Sequence, residues 1–98
     1  MTFPKHKRFT SLINRKKVKE RGCIICGREE VDVCHVKTRA SGGGDHLYNM
    51  FAACRRHHSE QHTFGLKKFS DKYFMFFAWL SNNGWYFDEN NKLKRTKK

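Results

Sequence analysis

The sequence predicts a small α+β fold in which two short strands enclose a glycine-rich loop, a ligand-rich helix follows, and further helices flank the unit. Three stretches carry that prediction. "VDVCHVK" (31–37) alternates β-branched and polar residues as a half-buried strand does. "ASGGGDH" (40–46) sets three glycines in a row, a pattern that favours neither helix nor strand. "CRRHHSEQH" (54–62) packs one cysteine and three histidines into nine positions.

At 98 residues the chain is expected to form a single domain over 1–98. A chain of this length buries only about 60 to 65% of its unfolded surface, so a metal staple would strengthen a thin core. Lys and Arg number 21 against 9 Asp and Glu, a formal charge of +12, which favours a polyanionic partner, DNA first. The first 22 residues are basic without a long apolar run, so neither a secretory signal nor a transmembrane segment is expected, and the cytoplasm is the expected location. In that setting four cysteines beside six histidines point to metal rather than disulfides.

The elements follow in order. Residues 10–20 begin with the candidate caps Thr10 and Ser11 and stop before Gly22, predicting a short basic helix within an N-terminal arm, 1–22. Strands are expected over 31–37 and 48–52, with a helix from about Ala53 to His62 that ends near Gly65. Ser70 is the expected cap of a main packing helix, whose Tyr73, Phe74, Phe76, Phe77 and Leu80 recur at helical spacing until Gly84. "WYFD" then suggests a last strand with Trp85 or Phe87 covering the core, and the charge-biased ends "KHKR" and "KLKRTKK" are expected to fray.

Two constellations carry chemistry. Cys23 and Cys26 with Gly27 have the form of a zinc knuckle, and Cys54 with His57 supplies a C-x-x-H complement across one helical turn. Cys34 in an all-cysteine set, or His58 in place of His57, are the alternatives. Once the zinc ligands are set aside, His35 on the first strand and His58 and His62 on one helix face lie near one another. Adjacent helical residues are turned by roughly 100°, so His57 and His58 point different ways. Convergent imidazoles on a basic surface suit phosphodiester hydrolysis, where one takes a proton from water and a cation offsets the negative charge on the phosphorane and the leaving oxygen.

"CIICG", "CHVKTRASGGGDHLYN" and "CRRHHSEQH" together resemble the HNH endonucleases, in the zinc-containing ββα-metal (His-Me finger) version found in small phage and prophage nucleases. The resemblance covers about residues 23–69 and leaves a packing helix and basic tail, 70–98, outside it. It implies that His35 activates water, Asn49 pins the hairpin loop and orients the base, and His58 binds a divalent catalytic ion (Mg2+, Mn2+, Ni2+ or Zn2+), with His62 as another ligand. It further implies DNA cut to 5′-phosphate and 3′-hydroxyl ends, with the helix reading backbone more than bases, hence low sequence specificity. One departure stands before the base: Cys34 occupies a position that is commonly Asp or His and ligates the ion. A thiolate suits magnesium poorly, so Cys34 is read as a bystander, with Asp45 or water completing the shell. Lys37 and Arg39 in the loop are placed for a scissile phosphate, and Arg55 and Arg56 for flanking phosphates. For each, a solvated surface charge is the plainer role. A non-catalytic zinc-stabilised DNA-binding module and a junction-resolving nuclease of the same fold are the alternative functions, and the oligomeric state is open.

Overall fold

A computed structural model of the chain describes residues 9–38 and 43–96. Helix α1 spans Leu12–Glu20, and of the two candidate caps Ser11 does the capping, its hydroxyl accepting from the Asn14 amide at 3.1 Å. The helix turns Val18 into the protein and leaves Leu12 and Ile13 in solvent, as its sparse apolar residues require. Strands β1 (Asp32–His35) and β2 (Met50–Ala53) pair antiparallel, with Asp32 opposite Ala53 and His35 opposite Met50. The second strand begins later than expected, because Leu47–Asn49 forms a 3-10 turn.

Every residue of β2 is buried, and its two faces serve different partners. Met50 and Ala52 pack with Val18 of α1. Phe51 and Ala53 face the main core of Phe69, Phe76 and Leu80, and the Phe51 and Phe76 rings sit 4.8 Å apart. A strand sandwiched this way must be apolar throughout, and "MFAA" is.

Helix α2 spans Arg55–Lys72 and carries a break at Gly65, whose φ of 82° and ψ of 162° lie outside the helical region. Glycine adopts such a φ without steric cost, so the chain can turn and begin a second helical stretch there. That stretch overturns the expected start at Ser70, which is buried inside α2 with its hydroxyl donating to the Lys67 carbonyl. The packing helix α3 starts instead at Phe74 and runs to Asn82, with extended Tyr73 as its cap residue. Shifting the start rotates the aromatic stripe. Phe76 and Leu80, four residues apart, are fully buried, whereas Phe74 and Phe77 are exposed.

Strand β3 (Trp85–Phe87) forms as expected, but it pairs antiparallel with β4 (Leu93–Arg95), part of the tail expected to fray. Leu93 explains the difference: together with Trp85 and Phe87 it packs on the main core, and the charged neighbours Lys94 and Arg95 ride along with it. "KHKR" lies outside the described residues. Among those described, no helix is long and apolar enough to cross a membrane.

Candidate active site

Cys23, Cys26, Cys54 and His57 converge from the knuckle and the first turn of α2, and their donor atoms all lie within 4.8 Å of one another. Cys26 Sγ is 3.8 Å from Cys54 Sγ, and His57 Nδ1 is 3.2 Å from Cys54 Sγ and 3.6 Å from Cys23 Sγ. A tetrahedral ion with zinc–sulfur bonds of about 2.3 Å holds sulfurs about 3.8 Å apart, so the group can take a metal with little movement. The electrostatics agree. Burial opposes ionisation of Cys23, but the amides of Cys26, Cys54 and Ile25 bring its thiol down to about 6. Cys26 has help from the Arg28 amide, yet burial and the neighbouring Cys23 and Cys54 sulfurs hold it above its ordinary value. A cation among the sulfurs would relieve that crowding.

Cys34 stands apart from this cluster. It is buried, its sulfur lies 3.8 Å from the Asp32 carbonyl, and burial pushes its thiol up to about 12, so it stays protonated at neutral pH and is a poor ligand there.

His35, at the end of β1, and His58 and His62, on α2, line one cleft of about 330 Å3 together with Val33, Cys34, Thr38 and Gln61. His57 and His58 are neighbours in sequence yet point apart, His57 into the cysteine group and His58 into the cleft, as the helical turn between them requires. His58 Nδ1 lies 3.0 Å from Asp32 Oδ2, a carboxylate that can only accept, so in the neutral ring the proton sits on Nδ1 and the lone pair on Nε2, 3.0 Å from Nε2 of His62. Two nitrogens each about 2.1 Å from a common ion lie roughly 3 Å apart at a near right angle, so this pair suits one divalent ion.

Asn49 is 98% buried and serves the hairpin loop. Its Oδ1 accepts from the Lys37 amide at 2.8 Å, while Nδ2 donates to the Gly44 carbonyl at 2.9 Å and the Lys37 carbonyl at 3.2 Å. The loop is drawn so tight that a Cβ on Gly43 would lie 1.9 Å from the Lys37 carbonyl oxygen. Asp45, in the same loop, does not face the histidine pair of α2. It is buried and accepts from His35 Nε2 at 2.8 Å, Arg15 Nε at 2.8 Å and the Ser11 amide at 2.9 Å.

The cations are less uniform than the sequence suggests. Lys37 is exposed and borders a larger groove of about 560 Å3, which adjoins the cleft through Thr38 and also holds Trp85 and Arg95 but none of the histidines. Arg55 is exposed yet lies 3.3 Å from Asp32, so it shares the carboxylate that orients His58. Arg56 is exposed, and Arg39 lies outside the described residues.

Asp32 and Arg15 are the residues that sequence reasoning missed, and Asp45 enters in another role than the one considered for it. The alternation of "VDVCH" puts Asp32 on the same strand face as Cys34, toward α2, a signal that was available. Nothing local in the sequence ties Arg15 to Asp45. Residues 10–93 match the family model described as "Putative HNHc nuclease". No curated protein matches the chain.

Proposed function

The chain belongs to the HNH nuclease family, and from that premise we propose that it is a metal-dependent DNA endonuclease that hydrolyses phosphodiester bonds with His35 as general base. The observation that carries this reading is the single cleft into which β1 delivers His35 and α2 delivers His58 and His62. His35 takes a proton from water as the water oxygen bonds to phosphorus and the P–O3′ bond breaks; the departing O3′ takes a proton from solvent, leaving 5′-phosphate and 3′-hydroxyl ends. A divalent ion on His58 and His62 would offset the negative charge of the phosphate and the leaving oxygen. Asn49 keeps the loop closed against β1, so the base meets water at a fixed distance.

In this reading Cys23, Cys26, Cys54 and His57 hold a structural zinc, which ties the knuckle to the first turn of α2 and thereby sets the helix that carries His58 and His62. Lys37, Arg55 and Arg56, with Arg39 of the loop, contact phosphates and make cleavage broadly tolerant of sequence. Cysteines gathered for a metal rather than paired in disulfides suit the cytoplasm.

The test is direct. Purified protein given Mg2+, Mn2+, Ni2+ or Zn2+ in turn should convert supercoiled plasmid to open circles with at least one of them, and EDTA should stop it. Protein that is folded and zinc-loaded yet nicks with none of the four would sink the reading. Asp32 offers a finer check. Partners behind a ligating histidine change metal affinity by about 10- to 100-fold, so Asp32→Asn should raise the metal concentration giving half-maximal nicking by that factor. An unchanged metal titration would remove Asp32 from the site.

A further inference from the structure

We propose that Asp45 is the positioning residue of the general base and that Arg15 on α1 holds Asp45 in place, which makes the N-terminal helix part of the active site. The inference rests on the assignment of His35 proposed above, and goes beyond it by explaining how the base is aimed and kept in one protonation form.

Asp45 is 1% exposed, and a carboxylate taken so far out of water survives only with its oxygens satisfied. Oδ2 accepts from the Ser11 amide and Arg15 Nε, and Oδ1 accepts from His35 Nε2 and, at 3.5 Å, from Arg15 Nη2. The backbone joins in: the Asp45 amide donates to the Phe9 carbonyl, and Asn14 Nδ2 donates to the Asp45 carbonyl. Burial alone would raise the Asp45 carboxyl; Arg15, His35 and the Ser11 amide outweigh it and keep the group well below the usual carboxylate range. Asp45 is therefore an acceptor throughout the neutral range.

An ionised carboxylate can only accept, so the proton of neutral His35 resides on Nε2 and the lone pair on Nδ1. That leaves Nδ1 to take the proton from water. Once it has, the imidazolium still donates to Asp45 through Nε2, and the carboxylate steadies the charge before the proton passes to solvent. Arg15 completes the chain. Its side chain is about one-third exposed, so it reaches Asp45 from the surface of α1 and can be altered without opening the core. The titratable and charged groups around His35 are Asp45 from the loop, Arg15 behind it on α1, and His58 and His62 across the cleft on α2.

A carboxylate that merely fastened α1 to the hairpin would affect folding alone, and three full-length variants separate the two roles. Asp45→Asn keeps the shape and an acceptor for Nε2 but removes the charge. It should lower kcat by about 10- to 100-fold with KM for plasmid near wild type, and move the acidic limb of the pH–rate profile to lower pH, because His35 becomes less basic. Asp45→Ala frees the imidazole to take either tautomer and should cost more. Arg15→Met, with the Ser11 amide and His35 still on Asp45, should cost a few-fold. Histidine ring 15N spectra of wild type should show His35 protonated on Nε2, a reading that needs no catalysis. If wild type cuts no DNA, the nuclease assignment fails while the spectra still decide whether Asp45 governs the ring. Activity lost only in proportion to folded protein, an unmoved pH limb in Asp45→Asn, or His35 protonated on Nδ1 would each overturn the proposal.

Discussion

His35→Ala is expected to reduce plasmid nicking by about 10²- to 10⁴-fold, the range over which a positioned base accelerates proton transfer. The bound zinc and the melting temperature should stay close to wild type. The substitution lies outside the group formed by Cys23, Cys26, Cys54 and His57. It also leaves Asp45 with Arg15 and the Ser11 amide, so no buried charge is stranded. What disappears is one of the three imidazoles lining the cleft, with His58 and His62 still in place. The rate of open-circle formation at saturating metal checks this, read beside zinc content and a thermal melt of the same sample. Partial rescue by added imidazole would assign the loss to the missing ring. A variant that nicks at the wild-type rate would refute the base assignment outright.

The effects of substitutions in the Cys23, Cys26, Cys54 and His57 group and in the histidine cleft should separate because α2 separates the two. Cys54 sits at its N-cap and His57 in its first turn, both pointing back at the knuckle, while His58 and His62 lie on the neighbouring face toward β1. A rigid helical turn converts one residue of sequence into roughly 100° of direction, which is why two adjacent histidines face different groups of side chains. The same rigidity couples them in one sense. Whatever fixes the start of α2 also fixes the cleft.

That much was legible in the sequence, and for a physical reason. Ligand spacing is local: C-x-x-C with a following glycine, C-x-x-H across a turn, and histidines four apart are geometric statements about a few residues each. The strand, glycine loop, strand and helix order was legible on the same ground. The partners that hold the histidines were harder to read, because they come from far along the chain. Asp32 meets His58 across the β1–α2 packing, and Arg15 meets Asp45 only after α1 has docked on β2 through Val18. The helix boundaries after residue 62 were misread for a related reason. Ser70 has the residue type of a cap, but packing of Phe69 and Phe76 on Phe51 decides where the turn falls, and it falls at Tyr73. The basic tail was misread through its charge, when a single apolar residue, Leu93, suffices to pair Leu93–Arg95 with Trp85–Phe87.

Cys23→Ser should abolish cooperative folding, the largest effect on stability expected for any single substitution here. Small domains hold together by about 5–15 kcal/mol in total. Zinc binding to a three-thiolate, one-imidazole set is itself worth about 10–16 kcal/mol at neutral pH, and where the site does not preexist in the unfolded chain that energy is folding energy. Losing one sulfur leaves Cys26 and Cys54 facing each other at 3.8 Å with a weaker ligand set, and it unties the knuckle from α2. Cys23 also belongs to the main core beside Cys54 and Phe51, so the defect reaches the strand that both helices pack on. Zinc content by mass spectrometry under non-denaturing conditions, together with a thermal melt, reads the result: the variant should hold less than one equivalent and melt without a sharp transition. Cys34→Ala is the matched control. Its thiol sits in the same core but outside the ligand set, so it should keep one zinc and a cooperative, slightly lowered melt. A Cys23→Ser protein that retains one tightly held zinc and melts like wild type would show that the four-ligand centre does not hold this fold together.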